Sequence, residues 1–328
     1  MATAENAVLE YEAGQTAFPM APLTDSGDRK TFASLAELWS GRSGYEPVVR
    51  PDGVLTGGLV TPASGNDAVA VAALSANLAG VVETVAAVAS LAITRPLTDV
   101  AQVFSVTLDS AAAVVVVEGV EGSGSAFSET RGAAGGPPLI PVGSVEIAQV
   151  RINTSAAAPI SAAQILQVPG VHQELAGYPG HVIDPDSGSV SFYDALPLIH
   201  VGPAAKKVYA SYAEPIFAEI DLASDFVPAE ESYSSSSTQV YNGKTVGSAS
   251  KSLGQAGFTA YLTDGVSDPL VGLRGERLWF KFTPNKYQAG RAIMTQGVLG
   301  ISRTFPAGNN ISAACTVSPS APSFEVTG

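Results

Sequence analysis

The stretch from Gln288 to Gly328 constrains the fold most. Apolar and polar residues alternate through Ile301, Thr304 and Phe305, and again through Ile311, Ala313, Cys315 and Val317. Pro306-Ala-Gly-Asn-Asn310 separates the two runs with residues suited to a turn. A period of two, punctuated by Gly, Asn and Pro, predicts a half-buried antiparallel hairpin. The segment therefore reads as strand, loop, strand, turn, strand.

The same pattern recurs upstream. Val145–Ile152 alternates strictly, Val103–Leu108 alternates, and Ala113–Val117 is a continuous apolar run of buried-strand type. Val54–Val60, Val69–Leu74, Val81–Val85 and Leu91–Ile93 read as further strands, although the Ala-rich 81–92 leaves a helix open. Val190–Phe192, Lys207–Tyr212, Phe258–Leu262 and Leu278–Phe282 extend the series. Phe226–Gln239, with the serine run 234–237, reads as a polar loop. Helix is expected in two places. Phe32, Leu35, Leu38 and Trp39 have helical spacing over Asp28–Ser40, with Ser34 and Glu37 as a capping box. Ser161–Val168 reads as a short helix capped by Ser161. The expected class is all-β with minor helix. The expected domains are a leader at 1–50, a small β unit at 51–133 and a larger β domain at 134–328, with the Gly/Pro-dense Gly122–Pro141 as the break.

Composition narrows the functional classes. Charged residues make up only 14% of the 328, against about a quarter in ordinary soluble domains. Surface covered by other subunits accounts for such a deficit, and so does an alanine-rich coding bias. Thirty acids against seventeen bases give a net charge of −13, which argues against a protein that grips nucleic acid. A conduit is compatible, because a wall of the same sign as DNA prevents sticking. Acidity that merely keeps a surface soluble is the plainer reading of the same charge. The single cysteine, Cys315, excludes an intrachain disulfide and reads as a small buried apolar residue. Met1–Gly14 lacks the basic start and apolar run of a signal peptide. Ala68–Ile93 is too interrupted by polar residues to cross a membrane as a helix.

Motifs for covalent chemistry are lacking. His172, His181 and His200 have no metal-ligand spacing, and Asp184-Pro-Asp186-Ser-Gly188 reads as an Asx turn rather than a calcium loop. The glycine pairs Gly41/Gly44 and Gly254/Gly257 fit no phosphate-binding pattern, and Gly122-Ser-Gly-Ser-Ala126 is no nucleophile elbow. No catalytic, cofactor-binding or metal residue is expected, and the chain does not read as an enzyme. Bases gather in the last third, including Lys206, Lys281 and Arg303, with aromatics between them. They read as inter-subunit ion pairs or a solvated face, with a nucleic-acid groove as the alternative.

Tyr241–Gly328 resembles the tail tube (major tail) proteins of phages with long, non-contractile tails. The likeness lies in Phe258–Leu262 followed by Thr263-Asp264-Gly265, the aromatic strand Leu278–Thr283, Gln288–Ser302 and the closing strand after Asn310. The leader, with Pro19-Met-Ala-Pro22 and Ser40-Gly-Arg-Ser-Gly44, is similar to the start of such proteins. The resemblance implies a β-sandwich flanked by a short helix, and homo-hexameric rings whose inner sheets join into one barrel. It implies stacking of rings into a tube, through which viral DNA passes during ejection without specific binding. Its partners would be copies of itself and other tail proteins: tape measure, tail terminator and tail tip. The protein would reside in the virion after synthesis in the host cytoplasm, with no membrane and no cofactor. The 51–133 unit would sit on the tube exterior. Trp39, Arg303, Phe305 and Ile311 are the expected subunit contacts, with Arg303 paired to a neighbour's carboxylate. Another virion β-protein, such as a capsid decoration or baseplate subunit, is the first rival. A secreted carbohydrate-binding β-protein is the second.

Overall fold

A computed structural model describes residues 6–35, 38–202, 204–241, 243–288 and 290–327. The chain is almost entirely β, in several antiparallel sheets. It divides into two compact units. Unit 1 comprises Met1–Ala17, Leu38–Glu46 and Tyr212–Gly328; unit 2 comprises Phe18–Glu37 and Pro47–Ser211. The first strand, β1 (Val8–Pro22), contributes residues to both.

Unit 2 is built from short strands in small sheets. β2 (Thr24–Asp25), β3 (Thr31–Ala33), β15 (His181–Asp184) and β16 (Ser189–Phe192) form one sheet, ordered β15-β16-β3-β2. β5 (Gly53–Gly57), β8 (Leu74–Leu78) and β9 (Val81–Val85) form a second. β6 (Val60–Pro62), β7 (Ala68–Val71) and β10 (Val88–Ala92) form a third, ordered β10-β7-β6. The fourth is ordered β12-β11-β13-β14, from β11 (Gln102–Leu108), β12 (Val114–Glu118), β13 (Val145–Ile152) and β14 (Ile165–Leu166). Every residue of β11 is buried, and its polar members are bonded there: the Gln102 amide donates to the Gly119 carbonyl at 2.8 Å and the Ser105 hydroxyl to Glu146. One apolar cluster joins Val54, Val69 and Leu74 with Phe104, Ile147 and Ile152.

That cluster moves the expected domain boundary. β11 pairs β13 from Gln102↔Ile152 to Leu108↔Val145, across the Gly/Pro-dense stretch meant to separate 51–133 from 134–328. Gly135, Gly136, Pro137 and Pro138 are buried, and a Cβ on Gly136 would lie 2.3 Å from the Thr130 carbonyl oxygen. Gly is needed there for close packing, not for a linker. The unit accordingly runs on to Ser211.

The helix expected over Asp28–Ser40 is replaced, in its described part, by β3. Asp28 Oδ1 accepts the backbone N–H groups of Lys30 and Thr31 at 2.7 Å each, which turns the chain into a strand instead of capping a helix. Phe32 then pairs with Val190 and packs edge-on against Phe192, while Leu35 is fully exposed. Ala36 and Glu37, the latter half of the expected capping box, lie outside the described residues. Ser161 does precede a single 3-10 turn, Ala162–Gln164, and 81–92 forms β9 and β10.

Unit 1 centres on one large antiparallel sheet. Its strands are β17 (Val208–Glu219), β18 (Ala223–Val227), β21 (Ala256–Tyr261), β22 (Arg277–Thr283), β23 (Arg291–Thr304), β24 (Ser312–Pro319) and β25 (Phe324–Thr327). The order is β18-β21-β24-β23-β22-β1-β17, and β25 also pairs β23. The first four residues of β17 lie in unit 2 and pair with β4 (Val48–Pro51) there. A short α1 (Pro269–Gly272) is the α-helix among the described residues. One face of the sheet packs Leu9, Phe258, Leu278, Phe280, Leu299, Cys315 and Val317 together. Trp279 joins Met294 and Ala292 in a separate cluster with Phe324. That division follows from strand geometry, since Trp279 points opposite to its neighbours Leu278 and Phe280.

The alternation read in 311–317 is realised residue by residue: Ala313, Cys315 and Val317 are buried, and Ala314, Thr316 and Ser318 are exposed. The region 291–304 differs from the reading, being one continuous strand. The Phe226–Gln239 loop differs more. Its latter part is β19 (Glu231–Gln239), paired along its whole length with β20 (Thr245–Leu253).

Candidate functional site

Unit 1 carries its unusual chemistry on the outside. Among the described residues β19 and β20 pair only with each other, and every one from Ser232 to Leu253 is exposed. Along one face, hydroxyls meet across the strands: Ser232 with Ser252 at 2.7 Å, Ser234 with Ser250 at 2.6 Å, and Ser236 with Ser248 at 2.8 Å. The opposite face anchors Lys251 to Glu231 at 2.5 Å and holds its ammonium over the Tyr233 ring. At the tip Tyr241 is 98% exposed and Lys244 is exposed. Two wet strands alone are marginally stable in water, so such an arm is suited to being covered.

A concavity of about 310 Å³ opens at the turn from β17 to β18. Leu9, Ile220, Phe226 and Phe282 supply its apolar lining, with Phe226 and Phe282 stacked at 4.8 Å between ring centroids. Glu219, Asp221 and Asp225 also line it, and all three are exposed. The register of β18 against β21 slips between Ser224 and Val227, which places a bulge here, and Asp225 sits at φ +58°. Bulges re-aim side chains and gather at functional edges.

The four expected contact residues separate. Trp39 is fully buried inside unit 1: it stacks on Tyr212 at 5.0 Å, and its carbonyl accepts the Trp279 indole N–H at 2.9 Å. Around them lies a polar knot. The buried Glu12 accepts the Ser40 hydroxyl, the Gln15 amide at 2.8 Å and the Trp279 backbone N–H at 3.1 Å. A buried carboxylate needs such donors. Gly41 belongs to this packing, because a Cβ there would lie 2.8 Å from the Arg277 side chain. Arg303, Phe305 and Ile311 do come together. The Arg303 guanidinium donates to the Gly265 carbonyl at 2.5 Å and sits 6.0 Å from the Phe305 ring. A Cβ on Gly265 would touch both Phe305 and Ile311. Phe305 is 58% exposed, because β23 ends at Thr304 and the ring leaves the sheet.

Unit 2 folds its charges inward. Glu146 is buried and held by Arg131 at 2.5 Å and by the Ser105 hydroxyl; burial pushes its carboxyl up, against the opposing pull of Arg131. Glu174 accepts the Glu146 backbone N–H at 2.7 Å and faces the Lys206 ammonium at 3.3 Å. Glu146, Glu174 and Lys206 border a cavity of about 200 Å³. Asp52 is buried nearby in sequence to β5, and its carboxyl is pushed up to about 6 by desolvation despite a 2.8 Å bond from the Ala79 N–H. Two bases read as inter-subunit candidates are thus paired within the chain: Lys206 with Glu174, and Lys281 with Glu10 at 2.8 Å.

Two of the residues weighed as metal ligands, Asp184 and His200, have local contacts. Asp184 accepts the Asp186 N–H at 3.1 Å in the turn between β15 and β16, and His200 Nε2 contacts the Ser144 carbonyl at 3.0 Å. Among the described residues, no group of three or more His, Cys, Asp or Glu side chains is placed to hold a metal ion. None of their helices is long and apolar enough to cross a membrane. Burial pushes the Cys315 thiol up to about 12, which suppresses the reactive thiolate. No protein-family model matches the chain, and no curated protein matches its sequence.

The arm and the acid-rimmed concavity escaped sequence reading for different reasons. Serine-rich strands exposed on both faces show no hydrophobic period. The concavity gathers residues from both ends of the chain.

Proposed function

We propose that this protein is a structural virion subunit that polymerises, as stacked hexameric rings, into a phage tail tube through which DNA passes. The observation that carries the reading is the arm. Nine registered residue pairs of β-ladder stand in solvent with no third strand among the described residues and no apolar face of their own. Covering by a neighbouring copy is the simplest reason to keep such an element. The amphipathic β23–β24 pair in one large sheet agrees with a barrel-forming subunit, and so does the low charge content. The resemblance of Tyr241–Gly328 and the leader to tail tube proteins supplies the ring, the other tail proteins as partners, and the virion as location. No catalytic role is assigned to any residue.

Negative-stain electron microscopy of the purified full chain tests this. Hollow tubes or stacked rings with an open centre are expected. Compact particles without a channel, across a range of salt and protein concentrations, would overturn it in favour of another virion β-protein.

A further inference from the structure

The tip of the arm and the concavity at the β17–β18 turn are complementary. The tip offers one aromatic ring, Tyr241, and one cation, Lys244, which forms no ion pair among the described residues. The concavity offers a stacked aromatic pair, Phe226 and Phe282, ringed by Glu219, Asp221 and Asp225. None of these three carboxylates forms an ion pair among the described residues either. At about 310 Å³ the space is at the low end for a ligand pocket and suits a single side chain. Tyr241 is 98% exposed, so a copy's own tip does not fill its own concavity.

We propose that the arm tip of one copy seats in this concavity of a second copy, with Tyr241 against Phe226 and Phe282 and Lys244 among the three carboxylates. The bulge supports this. A non-glycine residue in the left-handed region is uncommon, and Asp is one of the few that adopts it readily. Asp225 is held there at the exposed rim, its carboxylate accepting the Ser224 hydroxyl at 2.8 Å. An aromatic anchor in a pocket, surrounded by charges of one sign facing the opposite sign, is the arrangement of an interface hot spot. Tip and concavity are different patches of one surface, so the contact is heterologous, and repeating it builds rings or filaments instead of closed two-fold dimers. The inference rests on the assembly reading only in taking the occupant to be a second copy.

Sedimentation velocity of the full-length chain over a concentration series reads the contact directly. Tyr241→Ala should weaken self-association at least about tenfold, and Tyr241→Phe should leave it near wild type. Lys244→Glu should weaken it, and adding Asp221→Lys to the same chain should recover much of the loss. All four substitutions lie at exposed positions, so folding is checked simply by unchanged circular dichroism. A Tyr241→Ala protein that associates like wild type overturns the contact, and if both form hollow tubes the tail-tube reading survives it. Association lost in Tyr241→Ala, in a protein whose wild-type assemblies lack a channel, supports the contact and removes the tail-tube reading. A wild-type chain monomeric at every concentration overturns both.

Discussion

Unit 1 contains two long β-hairpins with nearly equal backbone ladders and opposite fates. β19 and β20 are joined by nine registered pairs, β23 and β24 by eight. In the second, Leu299, Ala313, Cys315 and Val317 turn to one side and enter the core. In the first, no described residue is buried. Each backbone hydrogen bond contributes a modest net stabilisation of about 0.5–1.5 kcal/mol, and a two-stranded ladder alone is marginal. The comparison isolates the side chains as what makes one hairpin a wall and the other an arm.

The largest effect should come from charge. Val317→Asp places a carboxylate in a fully buried site and should cost about 4 kcal/mol or more, to the point of unfolding unit 1. Ser250→Asp, at the matching kind of position in the arm, should change stability by no more than about 0.5 kcal/mol. Urea titration of both variants makes the measurement, and similar losses would break the comparison. Truncation comes next. Leu299→Ala should cost about 2–4 kcal/mol, and Val246→Ala close to nothing, in the same titration.

Glycines sharpen the contrast. A Cβ on Gly297 in β23 would lie 2.7 Å from both the Ser318 carbonyl oxygen and Val317 Cγ1, whereas on Gly247 in β20 the nearest neighbour is 3.8 Å away. Gly297→Ala should therefore destabilise by about 1–3 kcal/mol. Gly247→Ala should be neutral or stabilise by up to about 1 kcal/mol, through the unfolded chain. Opposite shifts in thermal midpoint are the expected readout. The smallest effect belongs to the hydroxyl pairs. Replacing both Ser234 and Ser250 by Ala should alter stability by about 0.2–1 kcal/mol. Hydrogen exchange would see the arm more clearly: its amides should exchange far faster than those of β23 and β24 in the isolated chain, and slow down on assembly.

What the sequence revealed follows the same division. β24 was legible because a strand buried on one face writes a period of two into its residues. β23 read as two pieces, since Gly297 and Gly300 carry no side chain to continue the pattern. The arm read as loop because a strand wet on both faces has no hydrophobic period and serine is a poor strand former. Asp28–Ser40 read as helix from spacing and a capping box, and the Asx turn at Asp28 decided otherwise in its described part. The Gly/Pro stretch near 122–141 read as a boundary, although its tight buried packing has the same composition as a linker. Of the expected contact residues, Arg303, Phe305 and Ile311 lie together around Gly265, as strand, turn and strand require. Trp39 was not at the surface, because its partners Tyr212 and Trp279 lie far away in the chain.

The discontinuity of unit 1 also has a bearing on how the protein is made. β1 pairs with β22, from Val8↔Thr283 to Tyr11↔Phe280, and the whole of unit 2 lies between them in the chain. A ribosome therefore releases every residue of unit 2 before β22 has been translated, and β17, the other neighbour of β1 in the sheet, only begins as unit 2 ends. During that interval β1 is an orphan edge bearing Leu9 and Tyr11, and unit 2 is free to fold as a separate body. The arm emerges after unit 2 and shortly before β22, so it is synthesised while its own sheet is still incomplete. An arm free of long apolar runs is the safer kind to expose at that moment, when many nascent copies crowd one messenger and premature cross-pairing is the hazard.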